Sequence, residues 1–261
     1  MTIVKHELHQ SRVSLAVWTC SIGFLLAVCL FLFPEMKGEM NSVSDMFASM
    51  GDFTAAFGMD KVNFGSLLGF YAVECGNILG LGGAFFAALC GVSALSKEEK
   101  EHTAEFLLTH PVSRVKVVTE KLLAVILQIL ILNVIVYGIS LLCIVCIDEP
   151  IPWKELNLLH LAYLFLQLEI AGICFCISAF LCRGSIGTGL GVAIMLYFLN
   201  IVANLTDRAE FLKYITPFGY ADGSEIVSTS SLDAVLILIG TAYALIAVIV
   251  AFRQYVKKDI A

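Results

Sequence analysis

No glycine in this 261-residue sequence is followed by lysine, so the chain holds no G-x-x-x-x-G-K-[ST] loop to cradle a nucleotide phosphate. Charge is scarce too: 15% of residues are charged, against about 25% in soluble domains. Only five prolines interrupt the chain, which leaves long stretches free of a helix breaker. His6-Glu7-Leu8-His9 is not the H-E-x-x-H zinc helix, and His102, His110 and His160 make no ligand spacing with other groups, which argues against an intramembrane enzyme. What is abundant is apolar: 59% of residues are hydrophobic, and they fall in blocks of about 20 that soluble cores do not contain. The segments between the blocks are too short for a separate nucleotide-hydrolysing domain. An energy source other than an ion gradient must then sit on another chain.

Six apolar runs are long enough to span a bilayer: Leu15–Phe33, Ser66–Leu95, Leu122–Ile147, Leu158–Cys182, Ile186–Leu205 and Ala234–Phe252. The expectation is an all-α integral membrane protein, residues 1–261 forming a single transmembrane domain. Six spans put both termini on one side. Eleven basic residues share that side, Lys5, Arg12, Lys97, Lys100, Arg114, Lys116, Lys121, Arg183, Arg253, Lys257 and Lys258. Five fall on the other, Lys37, Lys61, Lys154, Arg208 and Lys213. Positive side chains resist translocation, so both ends are expected in the cytoplasm. The outer segments carry acids such as Glu35, Asp45, Asp52, Asp148, Glu149, Asp222 and Glu225, read as solvated surface, and the net charge of −6 argues against nucleic-acid partners. Ahead of the first span, Met1–Ser14 mixes Ile3, Val4 and Leu8 with charged residues, which suits either a short helix in the headgroup layer or a frayed tail.

All nine cysteines lie in or at the edge of apolar runs, where free thiols pack as small hydrophobes. Glu74 and Glu169 are the only carboxylates within those runs, and each costs about 2.5–3.5 kcal/mol if charged at the bilayer centre. Glu74 has two readings, an outer-interface position or a cavity. Glu169 has no interfacial escape, which points to a substrate path or a buried polar pairing. Asn77, Gln128, Asn133, Gln167, Asn200 and Asn204 suit interhelical hydrogen bonds, with a substrate path as the alternative. Gly65/Gly69, Gly76/Gly80 and Gly187/Gly191 have the small-x-x-x-small spacing of close helix packing.

The inner loop 96–114 is the most informative stretch. Ser96 with Glu99 three residues later is a capping box, and Glu98, Glu99 and Glu101 suit the positive end of a helix. Ala104, Leu107 and Leu108 form an apolar stripe with Phe106 beside it, and Pro111 stops the helix near His110. Ser113 then caps a new helix leading into the third span. Such a stripe on the inner face needs cover from lipid, from the bundle or from another protein.

Residues 98–114, with Thr103, Glu105, Leu107, Leu108, Pro111 and Arg114 in register, resemble the cytoplasmic loop of ABC-2-type transporter permeases. Tyr214-Ile-Thr-Pro-Phe-Gly-Tyr220 is similar to the Ser/Thr-Pro-Phe segment before that family's last span. The resemblance implies the transmembrane subunit of an ABC exporter, a homo- or heterodimer in a bacterial plasma membrane. It implies ATP-binding subunits as partners, with ATP and Mg held there and no cofactor on this chain. Glu101, Thr103, Glu105, Phe106, Leu107, Leu108, Pro111 and Arg114 would form or anchor the coupling helix on the ATPase. Glu74 and Glu169 would lie on the substrate path, and a hydrophobic or amphipathic compound or peptide would suit the apolar spans. The competing expectation is an ion-coupled secondary transporter using those two carboxylates, though paired broken helices in two repeated halves are not visible.

Overall fold

The computed structural model describes residues 2–49, 54, 62–97, 113–181 and 186–258, with backbone alone over 39–49 and at 207. Every regular element among the described residues is helical. α1 spans Thr2–Ser49, α2 Leu67–Ala94, α3 Arg114–Cys146, α4 Trp153–Phe180, α5 Ile186–Leu205, α6 Gly223–Thr229 and α7 Ala234–Lys257. Two 3₁₀ turns, Asp207–Tyr214 and Pro217–Gly219, lie between α5 and α6. All of the α-helices but the short α6 are apolar and long enough to cross a bilayer.

Local chemistry sets where the helices begin. Ser66 Oγ accepts from the Gly69 amide, and Ser113 Oγ accepts from Lys116, the cap expected there. Asp233 takes the amides of Val235 and Leu236 at the head of α7. α1 has no such break: no proline or glycine occurs before Gly23, so the helix expected over 1–14 is the first stretch of one continuous rod. The same rod runs through Pro34, four residues after Leu30, whose carbonyl loses its helical donor. The span expected to end at Phe33 therefore continues as helix beyond it. In α2, residues Tyr71–Cys75 widen into a π turn and place Glu74 on the exposed side.

Two helices make the centre. In the apolar windows of α2 and α4, 61% of residues are buried, against 33% or fewer in α1, α3, α5 and α7. α4 packs on α2 on one side and on α7 on the other, while α1 lies along α3 and α5 along α2. Small residues on α2 permit this. Gly91 faces the backbone of Ala171 and Phe175 on α4, where an added Cβ would meet the Ala171 carbonyl at 2.5 Å. Gly83 leaves the room that the Gln167 side chain fills. Gly76/Gly80 does serve packing, against Tyr163 of α4. Gly69 instead abuts the Asn63 carbonyl of its own preceding turn, and Gly191 faces open space, so neither is a helix–helix contact.

Among the described residues, Cys75, Cys143 and Cys174 are buried and all cysteines are free, whereas Cys20 and Cys146 sit on the exposed surface of the bundle. Gly91→Ala is expected to destabilise the detergent-solubilised chain by about 1–3 kcal/mol, the usual penalty of overpacking. Gly191→Ala, with open space around it, is expected to leave the thermal unfolding midpoint unchanged or slightly raised. Equal midpoints for the two variants would show that the α2–α4 approach is not tight.

Candidate functional site

The first turn of α1, the end of α7 and both stems of the inner loop meet at one end of the bundle. The amides of Ile3 and Val4 donate to Glu120 Oε2 at 3.0 and 3.3 Å, so a carboxylate of α3 satisfies orphan donors in the first turn of α1. Lys121, next to it and 1% exposed, donates to Glu7 at 3.0 Å and to the Ala94 carbonyl at the end of α2 at 2.8 Å. A buried ammonium needs such partners, because an uncompensated charge there is strongly destabilising. Arg114, in the first turn of α3, donates to the Tyr255, Val256 and Lys258 carbonyls at the end of α7. Lys258 in turn donates to Leu181 at the end of α4. Cations on the carbonyl ends of helices are favoured by the helix dipole.

Beside the Lys121 tie lies a cavity of about 370 Å³, with Glu7, Gln10, Ser93, Lys97, Lys121 and Gln128 in its wall. Ser96, expected as a cap, is buried and donates back to the Val92 carbonyl at 2.8 Å, closing α2. Glu101, Thr103, Glu105, Phe106, Leu107, Leu108 and Pro111, and Glu99 of the capping box, lie outside the described residues. Of the residues assigned to docking, Arg114 is the one described, and it holds the end of α7.

Midway along α4, Glu169 lies roughly 24 Å from Trp153 and roughly 16 Å from Phe180 at 1.5 Å rise per residue. It is buried at 4% exposure and accepts from the Tyr220 hydroxyl at 2.8 Å. Gly240 of α7 faces it, and a Cβ there would collide with the carboxylate. Tyr220 belongs to a stretch that turns inward: Thr216 through Ala221 are buried, and Thr216 Oγ1 donates to Leu196 of α5. Pro217 opens the short 3₁₀ turn there. This segment was expected as outer loop, yet it is core. Asp222, expected as solvated surface, is half-buried and caps α6 through the amides of Ser224 and Glu225.

Two positions before Glu169, Gln167 Oε1 accepts from Asn133 of α3 at 2.7 Å. Gln128 is joined to Cys90 of α2 by a longer thiol contact of 3.6 Å. These are the interhelical bonds expected of Gln128, Asn133 and Gln167. Asn77, Asn200 and Asn204 do not follow them and line a separate cavity. Glu74 is exposed on its π turn, and among the described residues no hydrogen bond or ion pair joins it to Glu169.

Three groups escaped the sequence reading. The Glu120–Lys121 pair was signalled by opposite charges side by side at the mouth of a span. The Tyr220 partner of Glu169 lay within the Thr-Pro-Phe segment without being singled out. Tyr71 bridges Ser140 and His160 at 2.9 and 2.8 Å, and nothing in the local spacing of the three residues announces that cluster.

Because a glutamine retains a carbonyl acceptor, Glu169→Gln is expected to keep the Tyr220 contact and the unfolding midpoint. Glu169→Leu strands the Tyr220 hydroxyl and is expected to cost about 1–3 kcal/mol. Indistinguishable midpoints for Gln and Leu would show that the contact does not hold the inward segment.

No curated protein matches the sequence. Residues 1–260 match the family described as ABC-2 family transporter protein, which covers the six apolar helices, the inner loop and the inward Thr-Pro-Phe segment alike. With nearly the whole length matched, the chain belongs to the ABC-2 transporter family and is a multi-pass membrane permease subunit of an ABC transporter.

Proposed function

We propose that this permease forms the substrate path of an ATP-driven exporter, works as a homo- or heterodimer, and is moved by separate ATP-binding subunits that grip residues 98–112. The observation that carries the reading is the family match over residues 1–260. The absence of any Gly-Lys pair supports it, because ATP must then be bound and hydrolysed elsewhere, with its Mg.

The loop stems support the coupling role. One stem ends α2, a central helix; the other starts α3. Through Lys121 and Glu120 the second stem is tied to α1 and α2, and through Arg114 to α7. A push on the loop would therefore reach four helices. Phe106, Leu107 and Leu108 would fill an ATPase groove, Glu101, Thr103 and Glu105 would orient the helix, and Pro111 would end it. Arg114 would anchor its base to α7. The end that gathers both termini and the larger share of basic residues would face the cytoplasm. A hydrophobic or amphipathic substrate fits such spans, with Glu74 and Glu169 as candidate path residues.

The test is copurification. A tagged chain expressed in its native host is expected to bring down a stoichiometric ATPase, and Leu107→Asp or Glu105→Ala is expected to reduce the captured ATPase at least fivefold. Helical content and elution volume should stay as in wild type. Full retention by both variants would overturn docking at this loop, and transport by the purified chain on an ion gradient alone would overturn the whole reading.

A further inference from the structure

Where Arg114 bolts α3 to the end of α7, a groove of about 250 Å³ lies against the last turns of α7. Val115 of α3 and Phe252, Arg253, Val256 and Lys257 of α7 line it. Its walls are held in place, because Arg114 donates to the Tyr255 and Val256 carbonyls at 3.5 and 3.3 Å. Successive helical residues stand about 100° apart, so Phe252 and Val256 fall within about 40° of each other, and Arg253 and Lys257 form a second pair about 100° further round. The groove therefore has an apolar side and a basic side. Val115 at 52% exposure and Val256 at 40% leave the apolar side open to whatever surrounds the bundle.

Depth in the bilayer sets what the basic side meets. Asp233 caps the far end of α7, and no charged residue occurs between it and Arg253. The twenty residues from one to the other rise about 30 Å, the thickness of a hydrocarbon core. Arg253 and Lys257 thus stand at the boundary where lipid phosphates lie. Both are exposed, and among the described residues neither makes a side-chain hydrogen bond or ion pair. Four positions apart on one helix face, their Cβ atoms are about 5–6 Å from each other, and like charges at that spacing repel until an anion lies between them. No acidic residue lines the groove among the described residues.

We infer that this groove binds an anionic diacyl phospholipid, its phosphodiester between Arg253 and Lys257 and the start of an acyl chain over Val115, Phe252 and Val256. Basic pockets beside membrane-spanning helices hold anionic headgroups in this way. A zwitterionic lipid carries the same phosphate but brings its own cation, so it gains less from the two basic side chains. The inference requires that the chain span the bilayer, and it is independent of the proposed docking of an ATPase.

The test titrates the delipidated full chain in neutral detergent with phosphatidylglycerol and phosphatidylcholine of identical acyl chains, counting bound lipid by native mass spectrometry. The first phosphatidylglycerol is expected to bind at least about fivefold more tightly than phosphatidylcholine, about 1 kcal/mol, the scale of one basic side chain near an anionic surface. Arg253→Gln combined with Lys257→Gln is expected to bring the two lipids to equal affinity, whereas Arg253→Lys combined with Lys257→Arg keeps the preference. Lys5→Gln removes an exposed cation of α1 outside the groove and is expected to change nothing. Inorganic phosphate, which lacks the apolar chain, is expected not to displace the lipid. Unfolding midpoints of these exposed-site variants should match wild type. Equal affinity of the two lipids for wild type would overturn the inference, as would a preference that survives the double glutamine variant, that Lys5→Gln abolishes as well, or that inorganic phosphate competes away. Captured ATPase is scored on the same variants before delipidation. Loss of the ATPase from the double glutamine variant with the lipid preference intact would assign the groove to the ATPase instead; no ATPase on wild type, with the lipid preference present, sinks the coupled-permease reading alone.

Discussion

α2 and α4 lie so close that Gly91 has no room for a methyl group against the Ala171 carbonyl, and the arrangement of the other helices follows from that approach. In a bilayer, lipid tails are as apolar as leucine, so helices associate through close packing and interhelical hydrogen bonds. The α2–α4 contact supplies both. Gly83 admits Gln167, which then reaches Asn133 of α3, while Gly76 and Gly80 admit the Tyr163 ring. Gln167 and Glu169 are two residues apart, about 200° around a helix of 3.6 residues per turn. One therefore points back to α2 and α3, and the other faces α7 and the inward segment. A single helix with two polar side chains thus organises both sides of the bundle.

A different chemistry holds the end that carries the termini. There the ties are charges on helix ends: Glu120 on the amides of α1, Lys121 on the last carbonyl of α2, Arg114 on those of α7, and Lys258 on the end of α4. Helix termini are where backbone groups lack partners, so charged side chains from neighbouring helices can satisfy them without breaking any intrahelical bond. At the opposite end, among the described residues, the Lys37–Glu149 ion pair and the Ser230–Glu155 hydrogen bond join exposed or half-buried groups. Surface pairs of that kind contribute little.

Much of this was readable in the chain because it depends on local composition. The six apolar runs predicted six long helices, Ser113 predicted its own cap, and intramembrane Gln128, Asn133 and Gln167 predicted contacts between helices. What could not be read depends on distant pairs. Glu169 needed a partner, but Tyr220 lies 51 residues away on a segment whose polar composition resembles a solvated loop. That segment is buried because Pro217 and Phe218 turn it inward and Thr216 binds Leu196, none of which has a periodic signature. Gly240 likewise looks like any span glycine until Glu169 is placed against it. The apolar run Leu15–Phe33 marks only part of the long α1, because a run of hydrophobic residues signals the span and not the helix around it, and Pro34 removes one donor without forbidding helix on both sides of it.

The distribution of these bonds constrains which motion is least costly in the proposed permease. Parting α4 from α2 would expose the face of Gly83 and Gly91 and empty the space beside Gly83 that the Gln167 side chain fills. Rocking α2 and α4 as one body keeps those contacts. It strains instead the contacts of their outer sides, where α5 and α7 have few buried residues. Ser96 closes α2 at the stem of the inner loop, so a displacement applied there is delivered to the rigid pair first. Rigid-body rotation of a packed unit is one of the standard ways that a small local push becomes a change of access. In the proposed coupling, a tight central seam would make the loop effective as a lever, because a deformable centre would absorb the displacement before it reached α4.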